Sequence, residues 1–345
     1  MERRICYISR NYKSLHCAGG IARTTIEKVL SDMGAVNLGL PQGRSRNGIV
    51  HGVRGFASMM LGLSRLRRGD VLVVQYPVKG YLPLIRKVAA KKGVKTVALL
   101  IDLDSFREKT LTPEQEIPIL NSFDAILTHN VSMRRWLSSH GCTSLMVDYE
   151  IMDYLYGHSE ERHAPANGKY SLYYVGNLTR RNNDYLYKLA RLMPDTDIYL
   201  YGPDYDREEV AKLPNIHTMG FVQDIDIIER HSGDFGISWY GSSLDSAEGK
   251  LGEYMNVNNP YKVGLYFRAN SPVIAWRKAG RAELIEREGL GITVDSLEEL
   301  PAILSALSRE EYEKMLARVK VVGERLASGH YLREAMARVL EKIGV

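Results

Sequence analysis

Short apolar runs alternate with helical patterns along most of this chain, and the alternation limits the folds that it can adopt. Asp70–Gln75 (DVLVVQ) is one such run, and a continuous segment rich in β-branched residues predicts a strand buried on both faces. Ile21–Met33 shows the other pattern, because its apolar residues recur on one face at helical spacing. Strands and helices that alternate in this way predict parallel sheets with helices on both sides.

The alternation falls into two series, separated by a polar and aperiodic stretch, Tyr156–Lys169, that we interpret as a linker. The predicted strands are Ile5–Ser9, Asp70–Gln75, Lys95–Ile101 and Ala125–His129, then Ser171–Val175, Asp197–Tyr201, Ile216–Met219, Asp234–Ser238, Pro272–Ala275 and Gly291–Val294. The helices predicted in the first series are Ile21–Met33, Gly55–Leu66, Tyr81–Lys92 and Val131–Ser139.

The sequence therefore predicts an α/β protein with two Rossmann-like, doubly wound domains that face a cleft. We place the domains at residues 1–160 and 161–328. A charged, amphipathic tail begins at Arg309 and breaks at Ser328-Gly329, and we expect a final helix over 329–345 to pack on the first domain.

Charge is distributed unevenly. The first 110 residues hold 20 Lys and Arg against 7 Asp and Glu, whereas the rest of the chain is acidic on balance. This asymmetry favours an anionic partner for the first domain, such as a phosphorylated substrate or a membrane surface, and a solvated basic surface is the alternative. We expect no nucleic-acid partner, because no basic segment has interleaved aromatic residues.

The number and spacing of the cysteines indicate the redox state of the compartment in which the protein works. Three cysteines at irregular spacing predict neither a disulfide framework nor a metal site, which is typical of a reducing cytoplasm. No apolar run is long enough to cross a bilayer. We expect a cytoplasmic protein, with peripheral contact at the inner face of the membrane through the basic domain.

In open parallel sheets, ligands bind beyond the carboxyl ends of the strands, so the residues after each strand carry the most information. Asp102 and Asp104 follow the strand ending at Ile101, and Arg107 comes shortly after them. One carboxylate can serve as a general base, and we favour Asp102 because it is nearer the strand. The alternative is that one Asp caps the next helix while the other pairs with Arg107.

The first predicted strand is followed by a loop and a glycine pair. Gly19 and Gly20 lie at the start of the predicted helix, where they allow a substrate to approach the backbone or simply turn the chain. The third glycine and the following acidic residue of a dinucleotide fingerprint are missing, so NAD is excluded.

Two turns of the second domain offer further ligand contacts. Gly176-Asn177 follows a strand, and Arg180 provides a planar fork that suits phosphate oxygens. Tyr201-Gly202 and Met219-Gly220 end two more strands and are candidates for a base or ribose contact, with plain turns as the alternative.

The stretch Asp234–Trp276 predicts an anion site. A buried strand is followed by a polar loop of about twenty residues and by Asn259-Pro260, which predicts a helix with Asn259 as N-cap. Lys262 then falls in the first helical turn, where a cation opposes the helix dipole unless an anion binds there. We interpret this conflict as the mark of a diphosphate site.

The same segment resembles a known family. GEYMNVNNPYKVGLYFRANSPVIAW (252–276) is similar to the GEY…NNPxK…PVI-W segment of bacterial β-1,6-galactofuranosyltransferases and of glucosyltransferases that modify serine-rich adhesins. The stretch 102–107, the GNL turn at 176–178 and the ending around 291–300 resemble further elements in the same order. Three positions depart from the family: Ile101 replaces the His before the first Asp, Tyr240 replaces the Asp of Trp-Asp-Gly, and Tyr261 replaces the His before the lysine.

The resemblance implies a GT-B glycosyltransferase that moves galactofuranose or glucose from a UDP-sugar to a saccharide acceptor, often as a homodimer or tetramer. The acceptor is lipid-linked or part of a glycoprotein, in surface polysaccharide or glycoprotein assembly. We expect an inverting reaction without metal or cofactor, the UDP-sugar being a co-substrate. Rival hypotheses are a nucleotide-sugar epimerase on the same fold and a non-catalytic sugar-nucleotide-binding or chaperone subunit.

The resemblance places the family's diphosphate-binding positions at Asn177, Arg180, Asn259 and Lys262 and its acceptor-side loop at Gly19 and Gly20, and the residues argued above complete the predicted site. The predicted donor site for UDP consists of Asn177, Arg180, Tyr201, Gly202, Gly220, Asn259, Tyr261 and Lys262. The predicted acceptor side consists of Gly19, Gly20 and Arg107, with Asp102 and Asp104 as the catalytic carboxylates.

Overall fold

The computed structural model describes residues 3–345 except 11, 13–17, 44, 46 and 79, and for 18 and 19 it describes the backbone alone. The chain divides into two compact units, Met1–Asp153 with Gly329–Val345, and Tyr154–Ser328. The unit changes at Asp153, just before the polar stretch that the sequence suggests as a linker.

Within the described residues, the first unit is a six-stranded parallel sheet with helices. Its strands are β1 (Ile5–Tyr7), β2 (Val36–Asn37), β3 (Val71–Tyr76), β4 (Lys95–Leu100), β5 (Ala125–Thr128) and β6 (Leu145–Asp148). Its first helices are α1 (Ala18–Asp32), α2 (Gly48–Arg65), α3 (Leu82–Lys92), α4 (Asp104–Arg107), α5 (Pro113–Leu120) and α6 (Val131–Ser139). The strand order is β2-β1-β3-β4-β5-β6.

The second unit, all of whose residues are described, is built in the same way. Its strands are β7 (Leu172–Val175), β8 (Ile198–Tyr201), β9 (Ile216–Gly220), β10 (Phe235–Ser238), β11 (Val273–Trp276) and β12 (Gly291–Val294), in the order β12-β11-β10-β7-β8-β9. Its helices are α7 (Arg180–Leu192), α8 (Arg207–Val210), α9 (Asp224–Glu229), α10 (Gly249–Met255), α11 (Tyr261–Arg268), α12 (Ala282–Glu288), α13 (Leu300–Ala306) and α14 (Arg309–Ala327). The last helix, α15 (His330–Lys342), belongs to the first unit.

The strand orders create one reversal point in each sheet. The first unit runs from β1 to the edge strand β2 and then returns to the other side of β1 with β3. The second unit reverses between β7 and β10 in the same manner. Crevices outside the carboxyl ends of strands at such reversals are where open parallel sheets bind ligands.

These sheets confirm the prediction of two doubly wound α/β domains, and central strands such as β4 and β10 are almost entirely buried, as the sequence pattern predicts. The sequence did not indicate β2 and β6, which lie at the two edges of the first sheet and are short or partly exposed. Short edge strands lack the continuous apolar run that identifies a central strand.

Two helices begin at residues other than those that the sequence predicts. Helix α2 begins seven residues before the predicted Gly55, because the Asn47 side chain accepts from the backbone N–H groups of Ile49 and Val50. Helix α11 begins at Tyr261 with Pro260 as N-cap, so the prediction of Asn259 as N-cap is wrong. The predicted long polar loop before it is also wrong in part, since it contains α10.

Candidate active site

Three neighbouring strands of the second unit end in glycine. Gly176 follows β7, Gly202 follows β8, and Gly220 ends β9. The strand ends are tied together by backbone hydrogen bonds, from Gly176 N to Tyr201 O (2.9 Å) and from Gly202 N to Gly220 O (2.8 Å). The structure therefore brings together the glycines of the three turns singled out in the sequence.

Gly202 is the position where a side chain is least tolerable. Its φ of +152° lies in a region that L-residues avoid, and a Cβ there would stand 1.8 Å from the carbonyl oxygen of Gly176. The two turns can approach this closely because neither carries a side chain. We call this edge, formed by Gly176, Gly202 and Gly220, the glycine floor.

Lys262 lies beside the glycine floor. It is the second residue of α11, and its Nζ is 3.7 Å from the place where a Cβ on Gly176 would stand. The nitrogen is buried although the residue as a whole is partly exposed, and it makes no hydrogen bond to any residue that the structure describes. The prediction that Lys262 lies in the first turn of a helix is confirmed.

Two tyrosine rings face the Lys262 ammonium. Its Nζ is 3.8 Å from the ring centroid of Tyr174 and 4.5 Å from that of Tyr240. The π faces of these rings attract a cation. This attraction is weaker than a hydrogen bond from the ammonium to a carboxylate or a phosphate. Burial therefore lowers the pKa of Lys262 well below its ordinary value.

Among the described residues Lys262 has no anionic hydrogen-bond partner, which is unusual for a buried lysine. Buried charges in proteins are normally paired, because removing an ammonium from water is costly. A phosphate group on the glycine floor would meet the Lys262 nitrogen at the amino end of α11, where the helix dipole also favours an anion. The residues present thus fit a phosphate-bearing ligand.

Asn177 and Arg180 are exposed, and their side chains are hydrogen-bonded to carboxylates of the same unit. Asn177 donates to Asp204 Oδ2 (2.5 Å) and accepts from the backbone and hydroxyl of Thr179. Arg180 donates from Nε to Asp184 (2.7 Å) and from Nη1 to Asp206 (3.1 Å), and its hydrogen bond to Asp184 raises its pKa. Arg180 has to exchange these contacts in order to bind a phosphate.

The remaining predicted donor residues are more enclosed. Asn259 is 3% exposed and accepts from Arg281 Nε at 3.3 Å. Tyr261 stacks on Tyr154 with ring centroids 5.0 Å apart. The Tyr201 hydroxyl accepts from the backbone N–H of Ser232 at 2.7 Å, so it is held by the fold.

In the first unit, the two predicted catalytic carboxylates differ in burial. Asp102 is partly exposed at the end of β4, whereas Asp104 is 2% exposed and accepts from the Thr110 hydroxyl. The start of α4 is held by Glu116, which accepts from the backbone N–H groups of Asp104 (2.7 Å) and Ser105 (2.9 Å). Asp104 is thus enclosed by the fold, whereas Asp102 is partly accessible to solvent.

The other predicted acceptor residues lie on the surface or near the chain start. Arg107 is exposed at the end of α4. Gly19 and Gly20 lie in the first turn of α1, as expected for a helix start, and residues 13–17 before them are outside the described part. His129, which follows β5, is 1% exposed and donates from Nε2 to Leu100 O at 3.0 Å, so the fold already uses this imidazole.

Sequence reasoning missed a buried charged cluster beside β1. Glu27 of α1 accepts from Ser9 Oγ (2.7 Å), from the Tyr12 hydroxyl and from Gln42 Nε2 (3.1 Å). Burial raises the pKa of Glu27, and these hydrogen bonds oppose the rise. An acidic residue within an amphipathic helix gives no signal of such a role, because most such residues face solvent.

Arg23 connects this cluster with Asp102. Burial and the nearby Arg10 lower the pKa of Arg23, whereas Asp102 and Glu27 act in the opposite direction. Two guanidinium groups and two carboxylates therefore interact at the carboxyl ends of β1 and β4. Asp102 therefore interacts electrostatically with the Arg23 guanidinium.

Two surveys of the described residues concern membranes and metals. None of the described helices is both long and apolar enough to cross a membrane. The described His, Cys, Asp and Glu side chains nowhere gather in threes as a metal-binding cluster.

Two Rossmann-like units in one chain are the architecture of the GT-B fold that the sequence predicts. The fold of a cyanobacterial protein, Anabaena Alr3699/HepE in complex with UDP, is similar, with a TM-score of 0.63, 10% identity and coverage of 98% of this chain and 100% of that one. The lipopolysaccharide outer core galactosyltransferase WaaB has a TM-score of 0.62, 11% identity and coverage of 98% and 100%. The GT-B fold is thereby confirmed.

Family models match both units. The model of the glucosyltransferase 3-like N-terminal domain matches residues 5–151, and that of the C-terminal domain matches 172–339. The chain belongs to the glucosyltransferase 3-like family, and it is a glycosyltransferase.

Two relatives show the range of the family. The β-1,6-galactofuranosyltransferase WbbI of Escherichia coli K12 is 25% identical over 297 residues, which are 86% of this chain and 87% of that protein. Glucosyltransferase 3 of Streptococcus gordonii is 28% identical over 277 residues, which are 78% of each chain. The family resemblance stated from the sequence is thus confirmed.

Proposed function

We propose that this glycosyltransferase binds the diphosphate of a UDP-sugar at Lys262 and the glycine floor, and transfers the sugar to a saccharide acceptor. The observation that carries the proposal is the buried Lys262 nitrogen, which has no hydrogen-bond partner among the described residues. A diphosphate supplies the missing anion, and charge on the leaving group increases as the sugar departs. Lys262 would therefore stabilise the transition state more than the bound substrate.

Uridine as the nucleotide is supported by proteins of similar fold. Anabaena HepE has been solved with UDP and with UDP-glucose. In our proposal the diphosphate lies at Gly176 and Gly202, with the nucleoside towards Gly220. Asn177, Arg180, Asn259 and Tyr261 surround this position as secondary donor contacts, whereas the Tyr201 hydroxyl is already held by Ser232.

For the sugar, the relatives support galactofuranose and glucose, since their names describe transferases of these two sugars. Tyr240 and Tyr261 replace residues of the family pattern beside Lys262, so this chain differs from the pattern near the place where the sugar must lie. We propose a hexose and leave both sugars as candidates.

On the acceptor side, we propose Asp102 as the base. The acceptor hydroxyl oxygen attacks C1 of the sugar, the bond between C1 and the diphosphate oxygen breaks, and UDP leaves with the bonding electrons. Asp102 takes the hydroxyl proton as the general base, and the Arg23 guanidinium interacts with it electrostatically. An inverting outcome, independence of metal, and a lipid-linked or glycoprotein acceptor are parts of this proposal.

Other expectations from the sequence stay predictions. They include the homodimer or tetramer, the cytoplasmic location, and contact with the inner face of the membrane. A specific surface for the membrane contact is argued below.

The test is an assay of UDP release. The protein is incubated with UDP-glucose, UDP-galactofuranose and other UDP-sugars, with and without a saccharide acceptor panel. We expect release from one donor that depends on the acceptor, and inversion at C1 by NMR of the product. Conversion of the donor sugar without acceptor would favour an epimerase, and binding without any turnover would favour a non-catalytic subunit.

A further inference from the structure

Helix α2 carries an apolar stripe on its outer face. Ile49, Val53, Phe56 and Met60 are 79%, 65%, 56% and 40% exposed, respectively. Their spacing of four, three and four residues places them in one line roughly 16 Å long. Val50 is 46% exposed beside them.

The opposite face of α2 is already used for packing. Its buried residues include Ser58, Met59, Gly62 and Leu63. The helix is thus apolar on both sides, with one side in the unit's core and the other in solvent. Surface helices of water-soluble domains normally present polar residues outward, and a contiguous exposed apolar patch marks an interaction site.

The sequence around α2 is basic and has no acidic residue. Residues 33–69 hold six arginines, no lysine, no aspartate and no glutamate. Arg65, Arg67 and Arg68, at and beyond the carboxyl end of the helix, are exposed. A partner for this surface must therefore combine negative charge with an apolar layer.

The neighbouring helix α3 adds to this charge. Lys92 Nζ donates to the carbonyls of Leu63 (3.0 Å) and Leu66 (2.8 Å), which fixes the end of α3 against the end of α2. Arg86, Lys87 and Lys91 on α3 are exposed. The cations therefore continue from one helix to the next.

We propose that α2 is a membrane-docking surface that lies on a bilayer containing anionic lipid. The apolar stripe enters the boundary between headgroups and acyl chains, while the arginines meet lipid phosphates. A second copy of the chain fits less well, because a two-fold contact through this face would bring two acid-free, arginine-bearing surfaces together. The proposal is independent of the nucleotide site, since it uses none of the residues assigned there.

The experiment is flotation of the full chain with vesicles of phosphatidylcholine, alone or with about 30% phosphatidylglycerol. We expect binding to the anionic vesicles, weaker binding to the neutral ones, and loss of binding as salt rises. The variant Val53→Glu/Phe56→Glu should bind anionic vesicles at least about tenfold more weakly, because two inserted apolar groups become anions. Wild-type protein that does not bind, or a double variant that binds equally well, overturns the proposal.

Matched control variants distinguish specific binding through this surface from non-specific binding through any exposed apolar residue. Phe221 of the second unit is 63% exposed, so Phe221→Glu changes an equally exposed aromatic residue and should leave vesicle binding unchanged. Ile49→Glu, at the most exposed position of the stripe, replaces the double variant if that variant does not fold, and unfolding is checked by UDP affinity and melting temperature. Light scattering tests the alternative that a second copy of the chain binds to the stripe. If the stripe variants form a smaller oligomer than the wild type and still bind vesicles equally well, the face is an interface between copies and the proposal is wrong.

Discussion

The carboxyl edges of the two sheets have the same kind of strand reversal, but they carry different side chains. At the edge of the first unit, Asp102, Glu27 and Arg23 form a cluster of opposite charges and hydrogen bonds. At the edge of the second unit, three strand ends carry glycine and the buried Lys262 nitrogen faces two aromatic rings. The charged groups of the first edge interact with one another, whereas the Lys262 nitrogen has no hydrogen-bond partner among the described residues.

This contrast suggests that the two edges have different roles in the reaction. A balanced cluster can tune a carboxylate for proton transfer without any ligand, because its field is already in place. An edge without side chains can admit a rigid, highly charged group such as a diphosphate close to the backbone. The predictions below test each edge, from the largest expected effect to the smallest.

The largest effect is expected at the first edge. Asp102→Asn should reduce transfer by about 10²-fold or more while UDP affinity stays the same, because the amide cannot accept the acceptor's proton. Steady-state UDP release and UDP titration measure the two quantities. Glu108→Gln, an exposed change just after α4, is the control, and full activity of Asp102→Asn would remove Asp102 as the base.

The glycine floor is tested by stability. Gly202→Ala places a Cβ 1.8 Å from Gly176 O at a φ of +152°, so we expect a loss of about 3 kcal/mol or more in the free energy of unfolding. Gly220→Ala is the matched control, since its φ is +69° and no atom lies within 4 Å of the new Cβ. Its cost should be about 1 kcal/mol. Equal costs in urea unfolding would contradict the close approach of the two turns.

Arg180 tests how far the donor site extends. Its guanidinium is exposed and bound to Asp184 and Asp206, so Arg180→Gln should leave the melting temperature nearly unchanged. If Arg180 exchanges these partners for the diphosphate, UDP affinity falls about tenfold. Unchanged UDP affinity would confine the site to Lys262 and the glycine floor.

The pH dependence of binding should be the smallest effect. Burial lowers the pKa of Lys262 in the free protein, and a bound diphosphate raises it again, so UDP binding takes up a proton between the two values. UDP affinity should therefore fall as pH rises between these two pKa values, by at most about tenfold per pH unit. Calorimetry in buffers of different ionisation enthalpy counts the protons, and a flat profile that matches Lys262→Met would contradict the assignment.

Much of the fold could be predicted from the sequence because central strands carry an unambiguous signal. Residues 71–76 and 95–100 are predominantly apolar, and both became strands within a residue of the prediction. Edge elements such as Val36–Asn37 could not be found, since a short, partly exposed strand has no period to detect.

The candidate site was predictable in part. The glycines and Lys262 break local rules, so they stand out in the sequence, and the structure brings them together. Tyr174 and Glu27 could not be identified, because a tyrosine within a strand and a glutamate within a helix are ordinary residues until the fold defines their neighbours.

The central claim is that Lys262 binds the diphosphate of the donor, and one measurement tests it most directly. UDP affinity is measured by calorimetry for the wild type, for Lys262→Ala and for Lys250→Ala, an exposed lysine of α10 in the same unit. We predict that Lys262→Ala weakens UDP binding by about 10²-fold, as for loss of a buried charged contact, and that Lys250→Ala matches the wild type. Unchanged UDP affinity in a folded Lys262→Ala protein would contradict the account.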